Sequence, residues 1–238
     1  MIDLHSHILF GIDDGSKTLN ESLEILKKAY TGGVTDIVLT PHFIKDSKYK
    51  ANNQEKERLK EILEKELKKE SININLYLGN EVFIDEGLPL LLDKEISTIN
   101  GSNYLLIEFP LGNKSTIIEE VLDELDNAGI IPIIAHPERY LAYYKDYDFF
   151  YHLKKRGCYL QSNIGSLSGH YGRKTKKMVK ELLKRNLIDF FGSDIHHPHQ
   201  DLYEQDIKKE LKRIVKDDTI IKGLLRENAK KVLENKRV

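Results

Sequence analysis

The first fifteen residues contain a pattern that could bind a divalent metal ion. A short apolar start, Met1 to Leu4, leads into His5-Ser6-His7, and Asp14 follows one loop later. Side chains on an extended strand repeat with a period of two, so the two imidazoles point the same way. Imidazole nitrogens and a carboxylate oxygen are ligands that transition metals accept. A single His-x-His is not specific, because two neighbouring histidines are often coincidental or structural.

Side chains of the same kind return at the ends of later apolar runs. The carboxyl ends of strands in a parallel barrel share one rim, where catalytic groups gather. We therefore predict a metal site formed by His5, His7, Asp14, His42, Glu81, Glu108, His136, Asp194 and His196. Nine nitrogen and oxygen ligands exceed what one ion can use, so two or three divalent ions are expected. Imidazole and carboxylate without thiolate suit manganese, iron or zinc.

Sites with several metal ions clamp both oxygens of an in-line displacement at phosphorus, and they activate the attacking water. The pattern therefore favours a phosphoester hydrolase in which a metal-bridging hydroxide attacks, with His42 and Asp194 among the catalytic side chains. Arg139, three residues after His136, is predicted to hold the phosphate in a bidentate grip. The alternative for Arg139 is a surface ion pair with Glu138 or a neighbour. Asn163, which follows another apolar run, is a second predicted substrate-binding residue.

Short apolar runs alternate with helical patterns, which indicates a parallel sheet covered by helices. Strands are predicted at Ile37–Leu39, Ile72–Leu78, Tyr104–Ile107, Ile130–Ala135, Tyr159–Gln161 and Leu187–Phe191. Helices are predicted from residue 16 or 18 to 30 and at 52–70, 116–128, 147–155, 174–185 and within 202–235. About seven such units favour a closed or distorted barrel in a single domain, residues 1–238. The charges of the helix at 52–70 are interpreted as a solvated surface.

Composition excludes several classes of protein. The chain of 238 residues has 37 basic and 38 acidic side chains, so it has no bulk attraction to nucleic acid or to anionic membrane. No uncharged apolar run approaches the roughly 20 residues of a membrane span, and no signal peptide is recognised at the N-terminus. The single cysteine, Cys158, fits a reducing compartment, so a cytoplasmic location is expected. Ile164 stands where a Cys-x5-Arg phosphatase loop needs its arginine.

The sequence resembles the PHP (polymerase and histidinol phosphatase) superfamily, and more narrowly the metal-dependent protein-tyrosine phosphatases of bacterial capsule and exopolysaccharide operons. The matching segments span almost the whole chain: His5 to Ile8, Gly11 to Gly15, Ile37 to His42, Gly79 to Glu81, Tyr104 to Pro110, Ala135 to Tyr140, Gln161 to Asn163 and Gly192 to His196. The strings Gly-Ile-Asp-Asp-Gly and Ala-His-Pro-Glu-Arg-Tyr favour the tyrosine-phosphatase branch. The resemblance implies an α/β fold, a distorted (β/α)7 barrel, with a trinuclear site usually written with manganese.

The resemblance also implies how the ligands are shared. His5, His7, Glu81 and Asp194 would surround one ion; Asp14, His42 and His196 would hold a second; Glu81 would bridge to a third, bound also by Glu108 and His136. The implied substrate is phosphotyrosine on the tyrosine-rich tail of a bacterial autokinase that controls polysaccharide export.

The sequence departs from the family pattern in one of the residues expected to bind the phosphate. Relatives often carry an arginine shortly after the Asp-x-His motif, whereas residues 197–203 contain none. Either Arg173 or a histidine takes the place of this arginine, or the phosphate is bound more weakly. The alternative functions are a small-molecule phosphatase of the histidinol-phosphate type, another PHP phosphoesterase or nuclease, and a metal-binding scaffold without activity. The sequence does not indicate the oligomeric state.

Overall fold

Extended segments alternate with helices along the chain, which we describe in a computed structural model. The structure describes residues 1–92, 94–203 and 206–238; Glu204 and Gln205 of the predicted C-terminal helical segment lie outside this range. The strands are β1 (Ile2–Asp3), β2 (Asp36–Leu39), β3 (His42–Phe43), β4 (Asn75–Leu78), β5 (Glu81–Phe83), β6 (Tyr104–Glu108), β7 (Ile131–Ala135), β8 (Tyr159–Asn163) and β9 (Phe190–Gly192). Within the described ranges all of their pairings are parallel.

Helices connect the strands and close the C-terminal part. They are α1 (Leu19–Thr31), α2 (Asn53–Lys69), α3 (Ile118–Asn127), α4 (Tyr147–Lys155), α5 (Ile164–Ser168), α6 (Gly172–Lys184), α7 (Ile207–Lys212), α8 (Asp218–Lys222) and α9 (Asn228–Leu233). Short 3₁₀ turns lie at Leu88–Leu91, Ile99–Gly101, Pro137–Arg139 and Leu141–Tyr143, and a π-helical turn at Gly223–Glu227 joins α8 to α9. The side chains of Thr18 and Asn52 cap α1 and α2. None of the described helices combines the length and apolar composition that crossing a membrane requires.

The strands form two sheets, ordered β1-β2-β4 and β3-β5-β6-β7-β8-β9. The boundary between them falls where two runs of chain are interrupted. Strands β2 and β3 are separated by Thr40-Pro41, and β4 and β5 by Gly79-Asn80. Pro41 has no N–H to donate, which interrupts the hydrogen-bond ladder at this point. When β2 is counted with β3, and β4 with β5, the nine strands form seven consecutive extended segments, which we call runs.

The seventh run returns to the first and closes the barrel. Ser6 and Ile195 form a parallel bridge. The His7 N–H donates to the Ile195 carbonyl at 2.9 Å, and the Asp194 N–H donates to the His5 carbonyl at 2.8 Å. The α/β class and the distorted seven-unit barrel predicted from the sequence are confirmed.

Apolar side chains fill both faces of the strands. In β6, Tyr104 and Leu106 pack in one buried cluster, with Leu4 and Ile133 among its members, whereas Leu105 packs in another that contains side chains of the covering helices. Alternation places Glu108 on the face of Tyr104 and Leu106, at the carboxyl end of the strand. A strand buried on both faces thus delivers a carboxylate to the rim.

Three sequence predictions need correction. The strand predicted at Ile72–Leu78 begins at Asn75, and a further strand, β5, follows it. The strand predicted at Leu187–Phe191 is observed at Phe190–Gly192. The helix predicted to expose its charges buries one of them, Lys56, which is fully inaccessible. The Lys56 ammonium donates to the side-chain oxygen of Asn80 and, at 3.2 Å, to the Glu95 carbonyl. These partners, together with the face that Lys56 shares with Leu59 and Leu63, make its burial possible.

Candidate metal centre

The ligand-type side chains converge at the carboxyl end of the barrel. His5 and His7 follow β1, Asp14 lies in the loop before α1, His42 and Glu81 open β3 and β5, Glu108 ends β6, His136 follows β7, and Asp194 and His196 follow β9. All nine side chains predicted for the metal site lie in this region, and their contacts divide them into overlapping groups.

The first group is His5, His7, Glu81 and Asp194, whose ligand atoms all lie within 4.8 Å of one another. The Oε2 atom of Glu81 lies 3.2 Å from the Nε2 atoms of both His5 and His7. The Oδ1 atom of Asp194 lies 3.4 Å from the same two nitrogens. These are the four residues that the family resemblance assigns to one ion.

The second group is His7, Asp14, His42 and His196. The Oδ1 atom of Asp14 lies 3.4 Å from His42 Nε2 and 3.5 Å from His196 Nε2. The rings of His7 and His196 are stacked, with centroids 4.0 Å apart. This group contains the predicted second set of ligands and adds His7 to it.

The third group is His42, Glu81 and Glu108, whereas the resemblance assigns Glu81, Glu108 and His136. His136 nevertheless contacts both carboxylates: its Nε2 atom lies 2.8 Å from Glu81 and 3.6 Å from Glu108. His42 lies on the other side of Glu81, with Nδ1 3.1 Å from its Oε2 atom. Glu81 is therefore the carboxylate common to the first and third groups and to His136.

Several buried polar atoms of this region lie close to other ligand atoms but form no hydrogen bond of suitable geometry among the described residues. They are Asp14 Oδ1, His42 Nδ1, Glu81 Oε2 and His136 Nδ1. Buried polar atoms are nearly always paired in folded proteins, and divalent cations coordinate such nitrogens and oxygens. Burial, together with the neighbouring Glu81 carboxylate, raises the pKa of Glu108 to about 8. The residues therefore fit a group of divalent cations, which would satisfy these atoms and neutralise the crowded carboxylates.

Two residues that the sequence analysis missed orient the first histidines. The Nδ1 atom of His5 lies 2.8 Å from Gln161 Oε1, and that of His7 lies 2.9 Å from Asp13 Oδ2. Each contact places a proton on Nδ1 and leaves Nε2 free to coordinate a metal. The position of Asp13 beside Asp14 could have indicated its role. For Gln161 the corresponding signal was its position two residues before Asn163, on the same strand face.

The predicted phosphate-binding residues differ in their positions. Arg139 donates from Nη1 to Asp194 Oδ2 at 2.9 Å, and its guanidinium carbon lies 4.6 Å above the Tyr171 ring. Asn163 is fully buried and donates to the same Asp194 oxygen at 2.6 Å. Arg173 is exposed in the first turn of α6 and is not among the residues that line the cleft at this end of the barrel, which is described below.

The alternative ion pair of Arg139 with Glu138 is not formed. Glu138 is buried and accepts from the Ser162 hydroxyl at 2.8 Å and from the Asn163 N–H at 2.9 Å. Arg139 instead forms an ion pair with Asp194, a predicted metal ligand, and about a quarter of its side chain remains exposed. A partly exposed arginine beside the cluster can still meet an incoming anion.

The backbone is strained where two of the ligands leave their strands. His136 has φ of +31° and Asp194 has φ of +54°, both in the left-handed region that residues other than glycine rarely adopt. Such conformations persist where the surrounding structure enforces them, and they cluster at functional sites. Here the strain turns both side chains towards the same cleft.

This cleft has a volume of about 360 Å³. Side chains of the cluster and Arg139 form one part of its lining, and apolar side chains form the other. The lining residues are Asp14, His42, Ile44, Tyr49, Glu81, Phe83, Glu108, Leu111, His136, Arg139, Asp194 and His196. The arrangement can bind cations, attract an anion to Arg139 and accommodate a small apolar group next to both.

Residues 1–234 match the protein family described as "Capsular polysaccharide synthesis, CpsB/CapC". The tyrosine-protein phosphatase YwqE of Bacillus subtilis is 32% identical, and the alignment covers 100% of this chain and 93% of the relative. The tyrosine-protein phosphatase CpsB of Streptococcus agalactiae serotype V is 31% identical, with 99% of each chain covered.

Solved structures give a consistent result. A structure from work on YwqE of Bacillus subtilis and CpsB of Streptococcus pneumoniae, called unique metal-dependent tyrosine phosphatases, matches with a TM-score of 0.91. It is 31% identical, and the match covers 100% of this chain and 96% of the other. Histidinol phosphate phosphatase of Lactococcus lactis matches at 14% identity with a TM-score of 0.57, covering 90% and 92% of the two chains. The latter likeness shows a shared fold.

Proposed function

The chain belongs to the CpsB/CapC family, and we propose that it is a metal-dependent protein-tyrosine phosphatase that hydrolyses phosphoric monoesters. The family predicted from the sequence is thereby confirmed. Relatives that match nearly the whole chain are named tyrosine-protein phosphatases. The observation that carries the proposal is the convergence of five imidazoles and four carboxylates on one cleft that Arg139 borders.

The proposed cofactor is a set of two or three divalent ions, with Mn²⁺ as the first choice and iron or zinc as alternatives. The residues that would hold them are His5, His7, Asp14, His42, Glu81, Glu108, His136, Asp194 and His196. Bound ions of this kind supply Lewis acidity towards phosphate oxygens and lower the pKa of water. The mixture of imidazole and carboxylate donors in the cleft supports this choice, since hard and borderline cations accept both.

The chain's own residues would bind and orient the phosphate. Arg139 contacts Asp194 through Nη1, so its remaining N–H groups are available to a phosphate oxygen. Asn163 and Arg139 both donate to Asp194 Oδ2 and hold that carboxylate towards the cluster. A phenolate leaving group has a pKa of about 10, so its departure needs little help from a general acid.

The proposed physiological substrate is phosphotyrosine on a protein, and the tyrosine-rich tail of a bacterial autokinase that regulates capsule or exopolysaccharide synthesis is the specific candidate. The family description and the names of the relatives support the phosphoprotein class. A cytoplasmic location follows from this substrate and agrees with the single buried cysteine. We also propose that residues 1–238 act as one domain.

The function is tested by comparing two substrates with the manganese-loaded protein. We expect kcat/KM for a phosphotyrosyl peptide to exceed that for histidinol phosphate, and we expect His136→Ala to abolish both activities. The control is His152→Ala, because His152 is an exposed histidine paired with Glu119 away from the cleft. Equal or faster turnover of histidinol phosphate would contradict the proposal and favour a small-molecule phosphatase.

A further inference from the structure

Apolar side chains line the metal-centre cleft together with the ligands. We name these residues the ring wall: Ile44, Tyr49, Phe83 and Leu111. All four are only half-buried, so each keeps apolar surface open to the cleft. Small-molecule sites are typically lined by apolar and aromatic groups beside a few polar ones. The ring wall therefore has the composition of a binding surface.

The ring wall is supplied by the loop after β3, by strand β5 and by the loop after β6, and hydrogen bonds fix the first of these segments. The segment after β3 folds back on itself: the Ile44 N–H donates to the Tyr49 carbonyl at 2.8 Å, and the Ser47 hydroxyl accepts from the Tyr49 N–H at 3.0 Å. Lys45 joins this segment to the loop after β5 through Asp85 at 3.2 Å. The backbone that carries Ile44 and Tyr49 is thus fixed by hydrogen bonds within its own segment and linked to the neighbouring loop.

The ring wall lies directly beside the proposed catalytic groups. The Tyr49 ring is nearly parallel to that of His42, with centroids 6.1 Å apart and planes inclined by 25°. Phe83 lies two residues after Glu81 on β5, and Leu111 lies three residues after Glu108. A group attached to a phosphate at the cluster would therefore meet apolar surface after only a few bonds.

Charge and volume indicate the chemistry of that group. The ring-wall side chains carry no charge, so a charged amine packed against them would lose hydration without gaining an ionic partner from the ring wall. The cleft volume of about 360 Å³ lies at the small end of the about 300–1,000 Å³ typical of small-molecule sites. A single planar ring fits these properties better than an extended ligand.

We propose that the ring wall is the subsite for the aromatic ring of the substrate, with Tyr49 and Leu111 as specificity-determining residues for aryl over alkyl phosphates. The proposal rests on the proposed phosphatase function and deepens it. The ring packs against Tyr49 and Leu111 while the phosphate oxygens face Arg139. Discrimination against an aliphatic phosphate ester arises from the apolar area that the ring buries.

The test measures binding of two non-hydrolysable anions, phenylphosphonate and methylphosphonate, to the manganese-loaded protein by calorimetry. These anions differ only in the group that reaches the ring wall, so leaving-group chemistry does not contribute. We expect the wild type to prefer phenylphosphonate. In Tyr49→Ala and Leu111→Ala this preference should fall about tenfold, or about 1.4 kcal/mol, with unchanged affinity for methylphosphonate. Tyr49→Phe keeps the ring and should keep the preference.

Matched controls are Tyr30→Ala on α1 and Leu90→Ala in the turn at 88–91, because both side chains are exposed and do not line the cleft. Hydrolysis of a phosphotyrosyl peptide by the wild type is measured beside the titrations and reports on the proposed function alone. A wild type that hydrolyses the peptide but binds both phosphonates equally overturns the ring subsite. An undiminished phenyl preference in Tyr49→Ala and Leu111→Ala overturns it as well.

Discussion

Individual ligand residues could be identified from the sequence because their chemistry is specific. Imidazoles and carboxylates at successive strand ends have no role in packing, so their positions alone indicated His5, Glu81 and His136. Supporting residues carried no such signal. Asp13 and Asp14 are adjacent and chemically identical, and only the fold shows that Asp13 contacts His7 Nδ1 whereas Asp14 lies between His42 and His196.

Asp13→Asn should lower the affinity for Mn²⁺ about 10- to 100-fold, the usual effect of losing a group that orients a ligand. Both carboxylate oxygens of Asp13 accept hydrogen bonds, from Gly15 N–H on one side and from His7 Nδ1 and His42 N–H on the other. An amide can accept on one side only, so a donor would face a donor. The measurement is competition with a metal-chelating dye.

The control for Asp13→Asn is Asp126→Asn, because Asp126 is exposed on α3. Its metal affinity should equal that of the wild type. An Asp13→Asn protein with wild-type affinity would show that the contact with His7 does not orient the ligand.

Lys56 shows a limit of reading charges along a helix. It lies three residues before Leu59 and therefore on the buried face of α2, which the helical period could have revealed. Its partners, the Asn80 side chain and the Glu95 carbonyl, come from distant segments and are invisible in the local pattern. Tertiary hydrogen bonds, which no local rule encodes, decided its burial.

Lys56→Met should change how stability depends on pH. Burial lowers the pKa of Lys56 to about 7, whereas the unfolded chain keeps a value near 10.5. Between these values the unfolded state binds the additional proton, so the free energy of unfolding of the wild type rises with pH by up to about 1.4 kcal/mol per unit. The methionine variant lacks this contribution, and its stability relative to the wild type should decline from pH 7 to 10.

Chemical denaturation at several pH values measures this effect. Lys65→Met is the matched control, because Lys65 is exposed on the same helix and its substitution should give a difference independent of pH. A stability difference for Lys56→Met that stays constant from pH 7 to 10 would contradict a depressed Lys56 pKa.

At the scale of elements, the type and order of the helices and strands were predictable, and their ends were less so. The helix predicted at residues 147–155 has the observed bounds of α4, since Gly157 follows its end. The interruption at Gly79-Asn80, which starts β5 and places Glu81, was not predicted. It depends on a neighbouring strand: a Cβ atom at Gly79 would lie 3.2 Å from Val38 and 3.3 Å from Thr40.

Two glycines that pack against the first histidines should be as necessary for the metal centre as its ligands. A Cβ atom at Gly15 would lie 2.1 Å from the His7 carbonyl oxygen, and one at Gly192 would lie 2.8 Å from His5 Cβ. Gly15→Ala and Gly192→Ala should therefore displace the first histidines, reduce metal binding and destabilise the fold by about 1–3 kcal/mol. Metal titration and thermal unfolding measure the two effects.

Gly112→Ala is the matched control for these substitutions. A Cβ atom at Gly112 would meet no atom within 4 Å, and its φ is not in the left-handed region. Its metal affinity and stability should remain at wild-type values. If Gly15→Ala behaved like Gly112→Ala, the turn before α1 would be free to move without disturbing His7.

At the scale of the molecule, alternating elements indicated the barrel, and the position of the site followed from the rule that strand ends share a rim. How the barrel closes did not follow from periodicity. Closure depends on the bridge between Ser6 and Ile195 and on the hydrogen bond from Asp194 N–H to the His5 carbonyl. The same residues flank or form the candidate metal centre. The contacts that close the barrel and the residues that would bind metal therefore lie in the same part of the molecule.

Removing the metal should therefore destabilise the whole barrel. The ligands come from the first and last runs of the sheet and from four of the five runs between them, and the apposed carboxylates of Glu81 and Glu108 would repel one another without cations. At a metal concentration 100 times the Kd, binding stabilises the folded state by about 2.7 kcal/mol, which for a chain of this size corresponds to a Tm shift of about 5–10 °C. Thermal unfolding with EDTA and after restoring Mn²⁺ measures the shift.

A Glu81→Gln variant, which loses the carboxylate shared by the ligand groups, should show a much smaller response to EDTA. An equal response in the variant and the wild type would place the stabilising metal elsewhere in the molecule.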